Sequence, residues 1–146
     1  EQMAGIMTMG ADGVWCASVF LPTTEAETSE NIKEKMIQAT SSQTVRSKSR
    51  TGKHSRQLQS AWTDAWESKD APEPLPMPLQ TIVGEPALAI VSKQATLGHE
   101  GAKKLDTYWV GQGIGLVNET ISAGQTVQKF KEEFIEAYER IANLVE

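Results

Sequence analysis

Val14-Trp15-Cys16-Ala17-Ser18-Val19-Phe20-Leu21 is the segment that most limits what this chain can fold into. It is a continuous apolar run of strand length, rich in β-formers, and such runs suit a strand buried on both faces of a parallel sheet. Gly10-Ala11-Asp12-Gly13 before it reads as a helix stop and a tight turn. Met3, Ala4, Ile6 and Met7 look like the last turns of an apolar helix with no N-cap ahead of them. Helix, glycine turn and buried strand make the αβ half of a βαβ unit. A single buried parallel strand cannot satisfy its own backbone donors and acceptors. No other segment of the 146 residues offers an obvious partner. The expectation is therefore a fragment of a larger α/β protein, cut from a longer frame.

The remainder reads as helix and loop. Thr28 or Ser29 can cap a helix with Ile32, Met36 and Ala39 inward and Ile37 flanking. Leu58, Ala61, Trp62, Ala65 and Trp66 fall at helical spacing, which predicts a second amphipathic helix over roughly Ser55 to Glu67. Pro72, Pro74, Pro76 and Pro78 then occupy alternate positions, and neither a helix nor a central strand survives that spacing. Pro86 suits the first turn of a further helix carrying Leu88 and Val91. Leu97 to Asp106 is polar and has no clear placement. Ser122-Ala123-Gly124-Gln125 has capping-box spacing. It opens a last helix with Val127, Phe130, Phe134, Ala137, Ile141 and Leu144 on one stripe.

Composition narrows the function classes. A net charge of −5 argues against nucleic acid as the main partner, because phosphate backbones favour basic surfaces. No apolar run reaches the roughly 20 residues of a membrane helix. No secretory pattern opens the chain. The lone Cys16 excludes an internal disulfide and a multi-cysteine metal site, so a cytoplasmic protein is expected.

Four segments could carry chemistry, each beside a plainer reading. Cys16-Ala17-Ser18 ends the expected strand, where parallel α/β folds bind ligands. Small residues there let backbone N–H groups approach a phosphate, and Ser18 adds a hydroxyl; alternatively they only pack against a neighbour. Gly111-Gln112-Gly113-Ile114-Gly115 lacks full dinucleotide-loop spacing, and is either a close-approach loop carrying the Gln112 amide or an ordinary glycine turn. The proline run ending in Leu79-Gln80 is a connector, a stiff loop over a pocket, or a docking motif for an SH3-type groove. Arg46, Lys48, Arg50, Lys53 and Arg56 alternate with serines as one charged face of an extended strand, either solvated or, less simply, a phosphate or nucleic-acid site. His54 and His99 lack the neighbours of a catalytic pair or a zinc site. Cys16 reads as an inert core thiol. Glu132, Glu133, Glu136 and Glu139 read as the wet face of the last helix.

Taken in order, the motifs resemble one family. Gly10-Ala11-Asp12-Gly13-Val14-Trp15, Ala17-Ser18 and Phe20-Leu21 are similar to the final barrel-strand motif of nitronate monooxygenase (2-nitropropane dioxygenase-like) flavoproteins. The similarity continues through Glu25-Ala26-Glu27-Thr28, Asp64-Ala65-Trp66-Glu67, Pro74-Leu75-Pro76-Met77-Pro78-Leu79-Gln80 and Tyr108-Trp109-Val110-Gly111-Gln112. The resemblance implies an α/β fold, the C-terminal part of a (β/α)8 TIM barrel that binds FMN. Residues 1–24 would be the end of the penultimate barrel helix and the last strand, and residues 25–146 a mainly helical region closing the barrel.

It further implies that Cys16, Ala17, Ser18 and Gln112 contact the cofactor and that Gln80 and Gly113 lie near the substrate. The family usually has glycine where this chain has Ala17, which matters only if that position needs a positive φ. The implied reaction is oxidation of an alkyl nitronate by FMN and dioxygen, without a metal. The family's catalytic histidine belongs to the N-terminal half of the barrel, so no catalytic residue is expected here and the missing half is the expected partner. Two alternatives remain open: an NAD(P)H-dependent flavin reductase acting on quinones or enoyl thioesters, and a non-catalytic interaction protein using the proline run.

Overall fold

The computed structural model describes residues 1–144. Helix α1 (Gln2–Thr8) stops where the glycine predicts. Gly10 takes φ +104, a conformation natural to glycine, and Gly10 and Ala11 N–H donate back to the carbonyls of Met7 and Ile6.

The apolar run after it is not a strand. Residues 14–17 are irregular, and Ser18–Phe20 form a single turn of 3-10 helix. Trp15 is 99% exposed. This corrects the expected buried strand, and the reason is non-local. A parallel strand needs a ladder partner, and among the described residues the sheet lies elsewhere.

That sheet is an antiparallel hairpin of β1 (Thr44–Ser47) and β2 (Ser55–Leu58). Its register sets Thr44 opposite Leu58, Val45 opposite Gln57, Arg46 opposite Arg56 and Ser47 opposite Ser55. Trp109 adds one antiparallel bridge to Gln57. The helix expected over Ser55 to Glu67 is thus two elements. β2 comes first, then α3 (Ala61–Trp66), opened by reciprocal hydrogen bonds between Ser60 and Thr63. Leu58 belongs to the core as a strand residue, so its helical spacing to Trp62 is a coincidence of period.

Helix α2 (Glu30–Gln38) is capped by Ser29, whose Oγ accepts from Ile32 N–H at 3.4 Å. Its Ile32 and Met36 meet Leu58, Val110 and Ile114 in the central cluster, with Leu21, Ala39, Tyr108 and Val117 packed around it. The inward face foreseen for α2 is therefore the one the core uses.

The proline segment is extended and leads into α4 (Leu79–Thr96). Pro86 lies inside this helix, not in its first turn, which corrects the expected start. Ile82 is exposed, so the carbonyl that loses its partner to proline can turn to water. Gly84 brings α4 against the hairpin loop; a Cβ there would stand 3.0 Å from the Ser49 carbonyl oxygen.

The unplaced polar stretch contains α5 (Glu100–Leu105), capped by His99 Nδ1 accepting from Ala102 N–H at 3.3 Å. A second 3-10 turn spans Gln112–Leu116. Helix α6 (Ala123–Ala142) begins at the foreseen Ser122–Gln125 capping box. Of its expected stripe Ala137 is buried, whereas Val127, Ile141 and Leu144 are exposed. Thr24 N–H donates to the Ile121 carbonyl, which ties the N-terminal segment to the start of α6. Among the described residues no helix is long and apolar enough to cross a membrane.

Candidate functional site

The irregular chain after α1 forms one wall of a cavity of about 700 Å³. Cys16, Ala17 and Ser18 line it together with Gly113 and Leu116 of the second 3-10 turn and with Phe130, Glu133 and Glu136 of α6. Two segments distant in sequence therefore meet because one hydrogen bond joins them: Gly111 N–H donates to Ser18 Oγ at 2.7 Å. The Ser18 hydroxyl accepts in this bond, so its own proton remains available to a ligand. A Cβ on Gly111 would stand 3.2 Å from Ser18 Oγ, which makes glycine the residue that admits this contact.

Ala17 takes φ −118 and ψ −55. The positive φ that would have demanded glycine is absent, so the alanine methyl carries no backbone strain. Ala17 is exposed and Cys16 and Ser18 are half-buried. Cys16 sits on the cavity wall rather than in the closed core expected of an inert thiol.

The glycine run divides by role. Gly111 and Gly115 are close-approach positions: a Cβ on Gly115 would meet Ser41 N and Oγ at 2.5 Å. Gly113 meets nothing within 4 Å and faces the cavity. Gln112 opens the 3-10 turn as an exposed residue outside the cavity wall.

Gln80 lies elsewhere and is fully buried. Its Oε1 accepts from Leu75 N–H at 3.0 Å and its Nε2 donates to the Ser49 carbonyl at 2.8 Å. The amide thereby holds the proline segment to the hairpin loop. Gly52, at φ +79, has its α-carbon so close to the Leu75 carbonyl that a Cβ would collide with it. The proline segment is pinned along its length.

A smaller cavity of about 230 Å³ adjoins the first and shares Val19, Leu116, Val117, Phe130 and Glu133 with it. Lys129 and Glu119 form an ion pair on its wall. Glu25 supports the α6 end of this region: Ala123 N–H donates to its carboxylate at 2.9 Å, and Thr24 Oγ1 donates to the same oxygen. The Ala123 bond, with smaller help from Thr24, holds the Glu25 carboxyl below its ordinary range.

Sequence reasoning missed the placement of three residues. Glu133 and Glu136 are exposed, as the wet face of a helix requires, and that face also lines the cavity. Arg50 read as part of a solvated charged face, yet it is 5% exposed. Its Nε and Nη2 donate to the two Glu85 carboxylate oxygens at 2.7 Å each, and its guanidinium stacks 3.6 Å over the Trp109 ring. The only local signal was a basic residue beside Gly52; its acidic and aromatic partners are 35 and 59 positions away. His54 and His99 are exposed, and His99 acts as a helix cap.

A model of the nitronate monooxygenase family matches residues 1–133. A protein of Mycobacterium tuberculosis (strain ATCC 25618 / H37Rv) named as a monooxygenase is 48% identical over 149 residues, covering 100% of this chain and 39% of that protein. FabK from Thermotoga maritima superposes with a TM-score of 0.70 at 23% identity, covering 97% of this chain and 42% of that one. A point variant of the same FabK gives a TM-score of 0.65 at 23% identity, covering 97% and 39%. The two solved structures establish a shared fold. The chain spans well under half the length of the curated relative and of both solved chains.

Proposed function

Since the chain belongs to the nitronate monooxygenase family, we propose that it supplies one wall of an FMN site in a flavin-dependent oxidoreductase with a TIM-barrel body. The observation that carries this reading is the Ser18–Gly111 hydrogen bond, which brings the two loops with ligand-loop character onto one cavity. The donors suit a flavin phosphate. Ser18 has a free hydroxyl proton, and Ala17 beside it is an exposed residue with unstrained backbone. Glu133 and Glu136 stand on the α6 wall of the same cavity, so an anionic phosphate belongs at the Ser18 end and the uncharged ring toward Gly113.

When bound, FMN would supply the electron transfer between an alkyl nitronate and dioxygen that yields a carbonyl compound and nitrite. This chain's part is to hold and orient. Ser18 would donate to the phosphate, Gly113 would leave room beside the ring, and Leu116 and Phe130 would keep water from one side. Gln80 acts at one remove by fixing the proline segment. The catalytic base and the second phosphate loop come from the rest of the family-length polypeptide, whose strands pair with the apolar run 14–21. Pinning of the proline segment by Gln80 and Gly52 favours a structural loop over a free docking motif.

The test is an FMN titration followed by flavin fluorescence. The chain alone is expected to bind weakly, and binding should tighten when the remaining polypeptide is co-expressed. In that complex Ser18→Ala should weaken FMN by about tenfold, the scale of one lost charge-assisted hydrogen bond. Tight stoichiometric binding by the chain alone, or unchanged affinity in Ser18→Ala, would overturn the assignment.

A further inference from the structure

The hairpin register places Arg46 directly opposite Arg56. Side chains of directly opposed residues leave one face of the hairpin with Cβ atoms about 5 Å apart, and like charges so placed repel. Among the described residues no carboxylate relieves the repulsion. There are 19 acidic residues, yet among the described residues neither arginine joins an ion pair. Acidic groups reach the same basic run selectively. Glu73 goes to Lys48 at 3.4 Å and Glu85 to Arg50 at 2.7 Å. The two arginines left over are the two that face each other.

Arg56 is also positioned in advance. It is half-buried, and its Nη1 donates to Thr44 Oγ1 at 2.9 Å. Its backbone carbonyl accepts from Val110 N–H at 3.2 Å, and the next residue, Gly111, is the one bonded to Ser18. Through Val110 and Gly111 the backbone of Arg56 is thus linked to Ser18 on the cavity wall. Two guanidiniums on one hairpin face offer N–H donors that match phosphate oxygens, and their mutual repulsion becomes attraction once a dianion sits between them.

We propose that Arg46 and Arg56 form an anchoring site for the phosphate or pyrophosphate group of a second ligand, distinct from the flavin. The anion site stands on the hairpin alone; its role as a substrate anchor rests on the flavin reading of the neighbouring cavity. The substrate class it selects is a phosphorylated one, with the anionic tail on the hairpin and the reactive part toward Ser18 and Gly113.

Titration of the chain with inorganic pyrophosphate by calorimetry tests the site. Saturable binding is expected with a dissociation constant below about 1 mM, weakening with added salt. Arg46→Gln and Arg56→Gln should each weaken it by about tenfold, whereas Lys53→Gln should change it by less than about twofold. Arg46→Glu replaces a repelling pair with an attracting one. It should abolish pyrophosphate binding and raise the melting temperature of the anion-free chain by about 1–4 °C, a gain that a misfolded variant could not show. Absence of saturable binding in the wild type, or equal affinity in the arginine variants, overturns the site. Repeating the titration with FMN or riboflavin separates the two sources of phosphate. Pyrophosphate binding unaffected by both is expected. Competition by FMN but not riboflavin would make this the flavin's own phosphate site and overturn the second ligand. The pyrophosphate readout does not require flavin to bind, so failure of the flavin reading leaves it measurable.

Discussion

At Ala17 a single dihedral decides what a substitution means. With φ at −118 the residue occupies backbone that any L-amino acid adopts. A glycine there gains no conformational relief and adds freedom to the unfolded chain. Ala17→Gly is therefore expected to lower stability by about 0.4–1 kcal/mol, read as a shifted urea midpoint at unchanged slope. It should not improve flavin affinity in the co-expressed complex. A stabilised or tighter-binding variant would mean that the functional conformation at residue 17 differs from the one described. Ser18 shows the complementary case. Its hydroxyl is half-buried and already accepts from Gly111, so its role is legible only when residues 93 positions apart are seen together. Gly111 and Gly113 look alike in sequence, but one is required by a contact and the other by an opening.

Between elements, buried charge ties α2 to the end of α5. Asn31 Nδ2 donates to Asp106 Oδ2 at 2.9 Å, and Lys35 Nζ donates to the Asp106 carbonyl at 2.7 Å. Burial pushes the Asp106 carboxyl above its ordinary value of 3.8, against the opposing pull of the Asn31 bond and the Lys35 charge. Burial likewise pushes Lys35 below its ordinary 10.5, against the attraction of Asp106. An acid whose folded value is raised holds its proton more tightly when folded. Stability from Asp106 is thus highest below 3.8 and falls as pH climbs from there through the raised folded value. Lys35 acts in a separate alkaline window, where stability rises from its lowered folded value up to 10.5. Asp106→Asn keeps an acceptor for Asn31 and removes the charge. Chemical denaturation across the acid range should show the wild type losing stability relative to Asp106→Asn as pH rises through the Asp106 window. Parallel profiles would place the raised proton affinity elsewhere.

Elements whose signal is local were readable in the sequence. The Ser29 cap, the Ser122–Gln125 capping box and the inward Ile32 and Met36 depend on neighbours within one or two helical turns. Of the hairpin only the extended character of the basic run was readable; its pairing was not, because Arg46, Ser47, Arg56 and Gln57 break the alternation of apolar and polar residues that marks a half-buried strand. Gln57 and Ser47 are buried through hydrogen bonds to each other's strand, not through hydrophobicity. Helix α5 was missed for a related reason: its cap is an imidazole, outside the usual Ser, Thr, Asp and Asn set.

Over the whole molecule, burial and family length point the same way. α1 and the 3-10 turn at Ser18–Phe20 both pack on α6, yet the segment between them projects Val14 and Trp15 into solvent. Ile6 and Met9 on one side and Ile135, Tyr138 and Ile141 on the other are also exposed. The run 14–21 has the composition of a buried strand and the surroundings of a loop, a conflict that a ladder partner would resolve. The matched relative is long enough to bring one, since the chain covers 39% of it. Trp15 reports on this directly. In the chain alone its fluorescence should be fully quenched by acrylamide, and the chain should associate as concentration rises, because apolar patches of this kind are the usual route to aggregation. Trp15→Ser should reduce that association without lowering the stability of the monomer, as a side chain 99% exposed contributes no packing. Co-expression with the rest of the family-length polypeptide should shift Trp15 emission to the blue and protect it from quencher. The two results are coupled: if Trp15 stays fully quenchable in a complex that binds FMN, the run 14–21 is not the strand that completes the barrel, and the cavity beside Ser18 must be closed by some other surface.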